Sequence, residues 1–424
     1  MSPVGEARSG EDALRHQRPF VLYWLARVST ALAHQMITVG VGWQMYALTG
    51  SALDLGLVGL AQFVPSVLLL LLAGHVADRH DRRRVLQMCA IAEALAALVL
   101  CAGSALGMLT PRAIFALVFL IGAARAFQIP TMQALLPSLV PPPLLARAIA
   151  ANSTASQAAT VAGPALGGLV YIAGPAIVYG ACAMLFVAAG VLIRRVQPRH
   201  APFARPANSG WASMLDGIRF VRGRPIVLGA ISLDLFAVLL GGATALLPIY
   251  ARDLLHTGPW GLGLLRSATA VGALGMALWL AHHPLGARAG RKMLAAVAVF
   301  GVATIVFGVS RSFTLSLAAL VVLGAADVVS VVVRQTLVQL QTPDHMRGRV
   351  SAVNALFFGT SNQLGEFESG VLAAWIGVVP SVVVGGLGTL VVVMLWMKLF
   401  PDLAKFDRLE SAAIVSETPR RGRR

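Results

Sequence analysis

Long apolar stretches separated by short polar segments repeat along the whole chain. A helix needs about 20 mostly apolar residues to cross the hydrocarbon core of a bilayer. Stretches of about this length predict twelve membrane-spanning helices. They cover residues 20–47, 55–77, 85–107, 113–139, 148–171, 175–196, 225–250, 259–281, 291–310, 313–341, 349–376 and 379–400. The pattern therefore predicts an all-α integral membrane protein.

Two polar regions interrupt this rhythm. Residues 197–224 form a Pro/Arg-rich linker, and residues 401–424 form a basic tail. The linker divides the chain into two six-helix halves, residues 1–196 and 225–400. Apolar residues at helical spacing within the linker indicate a short helix on the membrane surface. They are Trp211, Leu215, Ile218 and Val221.

Composition and charge fix the class and the orientation. Hydrophobic residues make up 57% of the chain and charged residues 12%, whereas a soluble domain has about 25% charged residues. A net charge of +16 can indicate a nucleic-acid partner. However, 27 of the 34 lysines and arginines fall on one side of the predicted spans, 3 on the other and 4 within them. Basic residues accumulate in cytoplasmic loops, so both termini are predicted to be cytoplasmic, with the lipid bilayer as partner and no nucleic acid.

The two halves look like copies of each other. A shift of 202 residues pairs Gln133 with Gln335 and Asn152 with Asn354, among several other matches. Near the start of each half, a shift of 207 residues aligns Leu-Gly-Leu at 55–57 with the same tripeptide at 262–264. Parallel halves related by an axis along the membrane normal are one known transporter architecture. The repeat predicts two pseudo-symmetric six-helix halves.

Ionisable residues within the predicted spans follow the same repeat. Arg27 pairs with Asp234 at the 207 shift, and Arg125 pairs with Asp327 at the 202 shift. Charged residues inside a membrane are costly and usually face a bundle interior or a water-filled cavity. These four residues and Arg334 are therefore predicted to line a substrate path. Static ion pairs that hold helices together are the alternative.

The loop between the second and third spans resembles the signature of the major facilitator superfamily, G-x-x-x-D-R-x-G-R-[RK]-x-x-L. The matching residues are Gly74, Asp78, Arg79, Arg82, Arg83 and Leu86. Asp81 replaces the usual glycine, and we expect it to be tolerated because Asp can adopt the left-handed conformation. Asp78 is expected to serve conformational cycling rather than substrate binding.

The fifth span contains Gly163-Pro164-Ala-Leu-Gly167-Gly168, which resembles the glycine-proline motif of antiporters in that superfamily. Proline bends the helix and small residues allow close helix packing; a generic packing kink is the alternative. Over roughly residues 18–400, the chain resembles the drug:proton antiporter branch, which includes siderophore and macrolide efflux proteins. The resemblance implies proton-coupled export of a small amphipathic compound across the bacterial inner membrane by alternating access.

One departure from this branch concerns the proton. Many members carry an Asp in the first span, where this chain has Ala33-His34-Gln35-Met36. The coupling role must then lie elsewhere or at His34. Five acidic residues lie in predicted spans: Glu93, Asp234, Asp327, Glu366 and Glu368.

We rank Asp327 first, Asp234 second and Glu366 third as proton-coupling residues. Asp327 and Asp234 lie in spans that line the cavity in this fold, and the arginines at their repeat-equivalent positions, Arg125 and Arg27, would compete with the proton. Glu93 is discounted because it lies near the inner end of a span that is usually peripheral. Glu366 and Glu368 point in different directions around one helix.

Other function classes find no support in the sequence. No lysine follows the glycine pattern of an ATP-binding loop, so ATP-driven transport by this chain alone is excluded. The three cysteines have neither metal-ligand nor disulfide-framework spacing. We expect no metal, no cofactor and no enzymatic activity. An importer or facilitator of the same fold and a transport-dead membrane sensor or scaffold remain alternatives.

Overall fold

A computed structural model describes residue 14, residues 16–197, 211–283, residue 286 and residues 288–406. The chain divides into two compact units. The first unit comprises Met1–Pro206 and Leu247–Ser267, and the second comprises Ala207–Leu246 and Ala268–Arg424. Every regular element in the described ranges is helical.

The first unit is built from seven long or medium helices of the described residues. They are α1 (Arg18–Thr49), α2 (Ala52–Leu68), α3 (Leu70–Arg79), α4 (Arg82–Ala105), α5 (Pro111–Leu135), α6 (Leu145–Tyr171) and α7 (Pro175–Arg195). The second predicted span is thus two helices. Pro65 lies one turn before the break at Leu69, and a proline inside a helix removes one backbone hydrogen bond and bends the chain.

The second unit begins with the short helix α8 (Trp211–Arg222) in the predicted linker. The longer elements that follow are α9 (Pro225–Leu240), α10 (Pro259–His282), α11 (Ala289–Val309), α12 (Phe313–Gln341), α13 (Asp344–Ile376), α14 (Val378–Leu399) and α15 (Pro401–Lys405). Helix α10 begins within the first unit's residues. Helix α9 ends before Gly241-Gly242, because paired glycines favour neither helix continuation nor a fixed backbone. Short 3-10, α- and π-helical turns then continue to Leu254.

Several helix starts are encoded locally. Proline occupies the first position of α5, α7 and α9, where its missing N–H would have no helical partner. The Ser51 hydroxyl accepts a hydrogen bond from the Asp54 N–H at 3.2 Å, and the Thr110 hydroxyl accepts one from the Ala113 N–H at 3.3 Å. Such N-caps satisfy orphan donors at the helix start. The loops therefore fix where the apolar runs begin.

Eight helices in the described ranges are long and apolar enough to cross a membrane, among them α4, α7, α11 and α14. The predicted spans that do not belong to this set are the first, second, fifth and eleventh. Each of these helices is either broken, as at Leu69, or rich in polar residues, as in α13. The all-helical membrane architecture is confirmed, and the count of twelve spans stays a prediction for these four.

The same helix pairs recur in the two units. Within the first unit α1 packs on α6 and α7, and α4 packs on α5 and α7. Within the second unit α9 packs on α13 and α14, and α11 packs on α12 and α14. These are the pairs that the sequence repeat makes equivalent. The boundaries of the two halves, the membrane-surface position of α8 and the cytoplasmic tail stay predictions, and residues 407–424 lie outside the described residues.

Candidate substrate and proton path

A buried ion pair joins two helices of the second unit. The guanidinium of Arg334 on α12 donates a hydrogen bond to the carboxylate of Asp234 on α9. Both side chains are only 2% exposed. Two charges removed from water in this way are stabilised by their mutual attraction. Loss of one would leave the other as an uncompensated buried charge. The pair therefore joins α9 to α12 through electrostatics.

Asp327 lies two turns before Arg334 on α12 and interacts electrostatically with Asp234 and Arg334. It borders a small, partly open pocket between α9, α11 and α12. The other residues that line this pocket include Asp234, Ala237, Val297, Phe300 and Ser330. Two carboxylates facing one guanidinium leave one uncompensated negative charge, which burial disfavours. The cluster is therefore suited to take up one proton.

Glu366 and Glu368 make separate contacts on α13. The Thr244 hydroxyl donates to Glu366 Oε1 at 3.4 Å, and the Ser369 hydroxyl donates to Glu368 Oε2 at 3.5 Å. Each carboxylate thus has its own hydroxyl partner, as expected from their different directions around the helix. Asp327, beside the Asp234–Arg334 pair, has the stronger electrostatic setting for a proton.

The two arginines predicted to line the path lie in the first unit. Arg27 on α1 is half-buried, and its Nε is buried with no hydrogen-bond partner among the described residues. Arg125 on α5 is exposed, and it interacts electrostatically with Arg27 and with Glu93. The pairing of these arginines with Asp234 and Asp327, which lie in the second unit, stays a prediction. The ion-pair partner that the structure gives to Asp234 is Arg334.

Sequence reasoning discounted Glu93, yet its side chain has no exposed surface. Glu93 on α4 contacts His34 on α1, with 3.2 Å between Glu93 Oε1 and His34 Nε2. The Gln128 amide on α5 donates to Glu93 Oε2 at 3.0 Å. The signal that could have found this cluster is the periodicity of α4, because Cys89, Ala90, Glu93 and Ala94 share its buried stripe.

Two arginines of the loop motif bind the ends of other helices. Arg82 donates to the carbonyl oxygens of Ala77 at 3.3 Å and Ala134 at 2.9 Å. Arg83 donates to the carbonyl oxygen of Val196 at 3.1 Å. These acceptors lie at the C-terminal ends of α3, α5 and α7, where unpaired carbonyls and the helix dipole favour a cation. The motif thus ties the ends of three helices together.

Asp81 is tolerated for a reason other than the one predicted. Its backbone lies at φ −60° and ψ 110°, in the extended region rather than the left-handed one. It is the N-cap of α4, and its carboxylate accepts a hydrogen bond from the Arg83 N–H at 2.9 Å. Burial raises the pKa of Asp81. The hydrogen bond from the Arg83 N–H and the charge of Arg83 lower that pKa by more than burial raises it. The net pKa is below its usual value.

Three further residues of the loop motif lie in α3. Arg79 is exposed in the last turn of α3, and Gly74 lies within α3 with open space around it. Asp78 also belongs to α3, but its side chain is not among those described. The gating role of Asp78 therefore stays a prediction.

The glycine-proline stretch of α6 is a close-packing surface within the first unit. A Cβ added to Gly163 would lie 2.5 Å from Gln35 Cβ, and one added to Gly167 would lie 2.8 Å from Met36 Cα. A Cβ on Gly168 would lie 2.5 Å from the carbonyl oxygen of Pro259. Pro164 lies inside an uninterrupted helix. These glycines let α6 approach α1 and the start of α10 to backbone contact, as small residues do in membrane helices.

Sequence reasoning also missed a polar contact in the first unit. The Tyr46 hydroxyl at the end of α1 donates to the Asp253 carboxylate, and the Arg252 guanidinium lies 5.6 Å from the Tyr46 ring centroid. A cation over an aromatic face is attractive. Neither Tyr46 nor Asp253 belongs to a motif or to the repeat, so the sequence alone gave no reason to pair them.

Residues 12–419 match a family of transmembrane secretion effectors. The chain belongs to this family. Two relatives are named enterobactin exporter: one from Citrobacter koseri is 28% identical over 402 residues, covering 93% of this chain and 94% of its own length. The other, from Escherichia coli O139:H28, is 26% identical over 414 residues, covering 96% and 97%.

Solved structures share the fold. The nucleoside transporter NupG superposes with a TM-score of 0.72 at 14% identity, covering 90% of this chain and 99% of that one. A bacterial homologue of the human lysosomal transporter Spinster, inward-facing and unoccupied, has a TM-score of 0.72 at 13% identity, covering 95% and 99%. This member of the secretion effector family is a multi-pass membrane transporter with the major facilitator fold.

Proposed function

We propose that this secretion effector exports a small amphipathic compound, siderophore- or drug-like, in exchange for protons. It acts by alternating access in the bacterial inner membrane, with both termini in the cytoplasm, and uses neither ATP, a cofactor nor an enzymatic step. Its relatives named enterobactin exporter, which align over almost their whole length, support the substrate class and the direction. An importer of the same fold is the second candidate, and efflux from intact cells separates the two.

The observation that carries proton coupling is the Asp234–Arg334 pair with Asp327 beside it. When Asp327 is ionised, the cluster has a net charge of −1, and when Asp327 is protonated it is neutral. A helix that must move within a membrane does so more readily with a neutral cluster, because a buried charge is costly. Protonation of Asp327 thus permits the return step of the cycle, and deprotonation commits the transporter to bind and release its cargo.

The arginines of the first unit are proposed to meet the cargo. Arg125 is exposed, and Arg27 carries a guanidinium nitrogen with no partner among the described residues. A guanidinium forms strong, directional hydrogen bonds to oxygen-rich anionic groups. The proposed path therefore contains the cations Arg27 and Arg125 for recognition, and Asp234, Asp327 and Arg334 for coupling.

The test is transport of enterobactin, as the probe, into inside-out proteoliposomes under an imposed pH gradient. Wild-type protein concentrates the probe against its gradient. Asp327→Asn abolishes concentrative transport and retains downhill exchange, because the cluster stays neutral. Asp402→Asn, which removes an exposed carboxylate on α15, behaves as wild type. If Asp327→Asn and Asp234→Asn both still concentrate the probe on a proton gradient, the coupling assignment is wrong.

A further inference from the structure

We infer that Glu93, His34 and Gln128 form a second proton-binding site, in the first unit and separate from Asp327. Its part in the transport cycle rests on the proposed function. The site joins three helices, α4, α1 and α5, at one fully buried carboxylate. Gln128 is 2% exposed, His34 is 9% exposed, and Glu93 is completely buried.

The three side chains lie in contact with one another, and Glu93 Oε1 is buried without a hydrogen-bond partner among the described residues. His34 Nε2 lies 3.2 Å from Glu93 Oε1 and 3.4 Å from Gln128 Oε1. Gln128 Nε2 donates to the second carboxylate oxygen of Glu93 at 3.0 Å. Phe186 of α7 covers the imidazole edge-on, with 5.3 Å between the ring centroids. An imidazole and a carboxylate at this distance can hold a proton between them, and the apolar wall excludes competing water.

The titratable groups around the site are few. Helix α1 contributes Arg27 and α5 contributes Arg125, which interacts electrostatically with Glu93. Helix α4 contributes Cys89, which also interacts with Glu93, and α7 contributes Cys182, whose thiol donates to the Ala33 carbonyl at 3.6 Å. Both thiols are neutral when buried. The charge on Glu93 is therefore balanced by His34 when protonated and by Arg125.

Packing does not require this cluster. The 207 shift places His34 opposite Gly241 and Glu93 opposite Phe300, and the 202 shift places Gln128 opposite Ser330. In the second unit a Cβ on Gly241 would lie 2.5 Å from the Phe300 ring, so the equivalent place is filled by an aromatic ring against a glycine. The same helices pack in both units, yet only the first unit places an acid, an imidazole and an amide there.

The unequal burial of the three residues defines a route for the proton. His34 retains some exposed surface and Glu93 has none, so exchange with water takes place at the imidazole. A proton that enters from water binds the His34 ring and passes along the Nε2 to Oε1 contact to the carboxylate. Gln128 fixes the carboxylate so that Oε1 faces His34. Movement of α1 relative to α4 would open this contact and release the proton to water.

The first test detects the proton itself. Infrared difference spectra of purified full-length protein are recorded between about pH 5 and pH 8, the range in which histidine titrates. Beside the band of protonated Asp327, they should contain a band from a second protonated carboxyl. Glu93→Gln should remove that band, and Glu93→Asp should retain it at a shifted position. His34→Gln should move its midpoint, and Asp402→Asn should change nothing. If the spectra of Glu93→Gln and wild type coincide, the cluster is a static clamp and the inference is wrong.

The second test counts protons. At zero membrane potential, each exchanged proton adds about tenfold to the final concentration ratio of enterobactin per unit of pH difference, since one unit corresponds to about 1.4 kcal/mol. Two sites predict about a hundredfold ratio for wild type and about a tenfold ratio in Glu93→Gln. Asp327→Asn still abolishes accumulation, because its return step then needs no proton. A wild-type ratio in Glu93→Gln, together with loss in Asp327→Asn, overturns the inference and leaves the proposed function intact. If wild type shows no pH-driven accumulation, the proposed function is overturned. The infrared band then tests the proton site by itself.

Discussion

The Asp234–Arg334 pair combines complete burial with full charge, so each side chain depends on the other. Removal of Arg334 leaves the buried Asp234 carboxylate without its ion-pair partner. Breaking a buried pair in this way costs about 3–5 kcal/mol, whereas replacing both partners with apolar residues is often neutral. The stability of the pair is therefore a property of the two residues together.

We predict that Arg334→Leu lowers the free energy of unfolding by about 3–5 kcal/mol because Asp234 is stranded. The double variant Asp234→Leu/Arg334→Leu should recover most of this loss, but it should not couple transport to protons. Unfolding of the detergent-solubilised protein measures the first effect and proteoliposome transport the second. Equal losses in the single and double variants would show that shape rather than charge holds α9 to α12.

Sequence reasoning found the charged residues that interrupt apolar runs, because their cost in a membrane is obvious. It missed Glu93, whose role depends on partners far away along the chain. Asp234, Asp327 and Arg334 stood out because each interrupts an apolar run, and the structure brings them together in one unit. The Asp234–Arg334 contact spans 100 positions, which no local pattern encodes. Glu93 was set aside on its position along the span, and only the packing of α1, α4 and α5 reveals its partners.

At the scale of helices, the glycines of α6 decide how closely it approaches its neighbours. Gly167 faces the backbone of Met36 rather than a flexible side chain. An added methyl group there can be accommodated only by moving one helix, since backbone cannot rotate out of the way. Forced overpacking of this kind costs about 1–3 kcal/mol.

Gly167→Ala should therefore destabilise the protein by about 1–3 kcal/mol despite the better helix propensity of alanine. Gly275→Ala in α10 is the matched control, because its Cβ would meet nothing within 4 Å. It should be neutral or stabilising by up to about 1 kcal/mol. Thermal unfolding in detergent compares the two. A Gly167→Ala variant as stable as Gly275→Ala would mean that α6 and α1 are not in backbone contact.

Helix existence was predictable because long apolar runs leave few other structures possible in a bilayer. Helix interruptions were harder to foresee. The predicted span 55–77 divides at Leu69. In the predicted span 225–250, the first helix ends at Leu240 before two glycines, and short helical turns continue to Leu254. Both breaks follow from residues visible in the sequence, Pro65 and Gly241-Gly242. Their effect depends on whether neighbouring helices restore the lost backbone contacts, which composition does not show.

For the whole molecule, the distribution of basic residues predicts the orientation in the membrane. The test uses variants in which the three native cysteines are replaced and a single cysteine is introduced at Ser209, Ser416 or Ser312. The first two positions, which lie outside the described residues, should resist an impermeant maleimide in intact cells because the linker and tail are predicted to be cytoplasmic. Ser312, which is exposed between α11 and α12, should react rapidly. Rapid labelling of Ser209 or Ser416, or protection of Ser312, contradicts the orientation.

The contacts of Arg82 and Arg83 have a consequence for how this molecule tolerates sequence divergence. Their acceptors at Ala77, Ala134 and Val196 are main-chain oxygens, which every amino acid possesses. Substitution at those three positions leaves the acceptor in place, so these hydrogen bonds do not restrict which residue stands there. Only the donors, Arg82 and Arg83, must be kept for these hydrogen bonds to form. A short arginine motif can thus persist in a chain that shares little more than a quarter of its residues with its relatives.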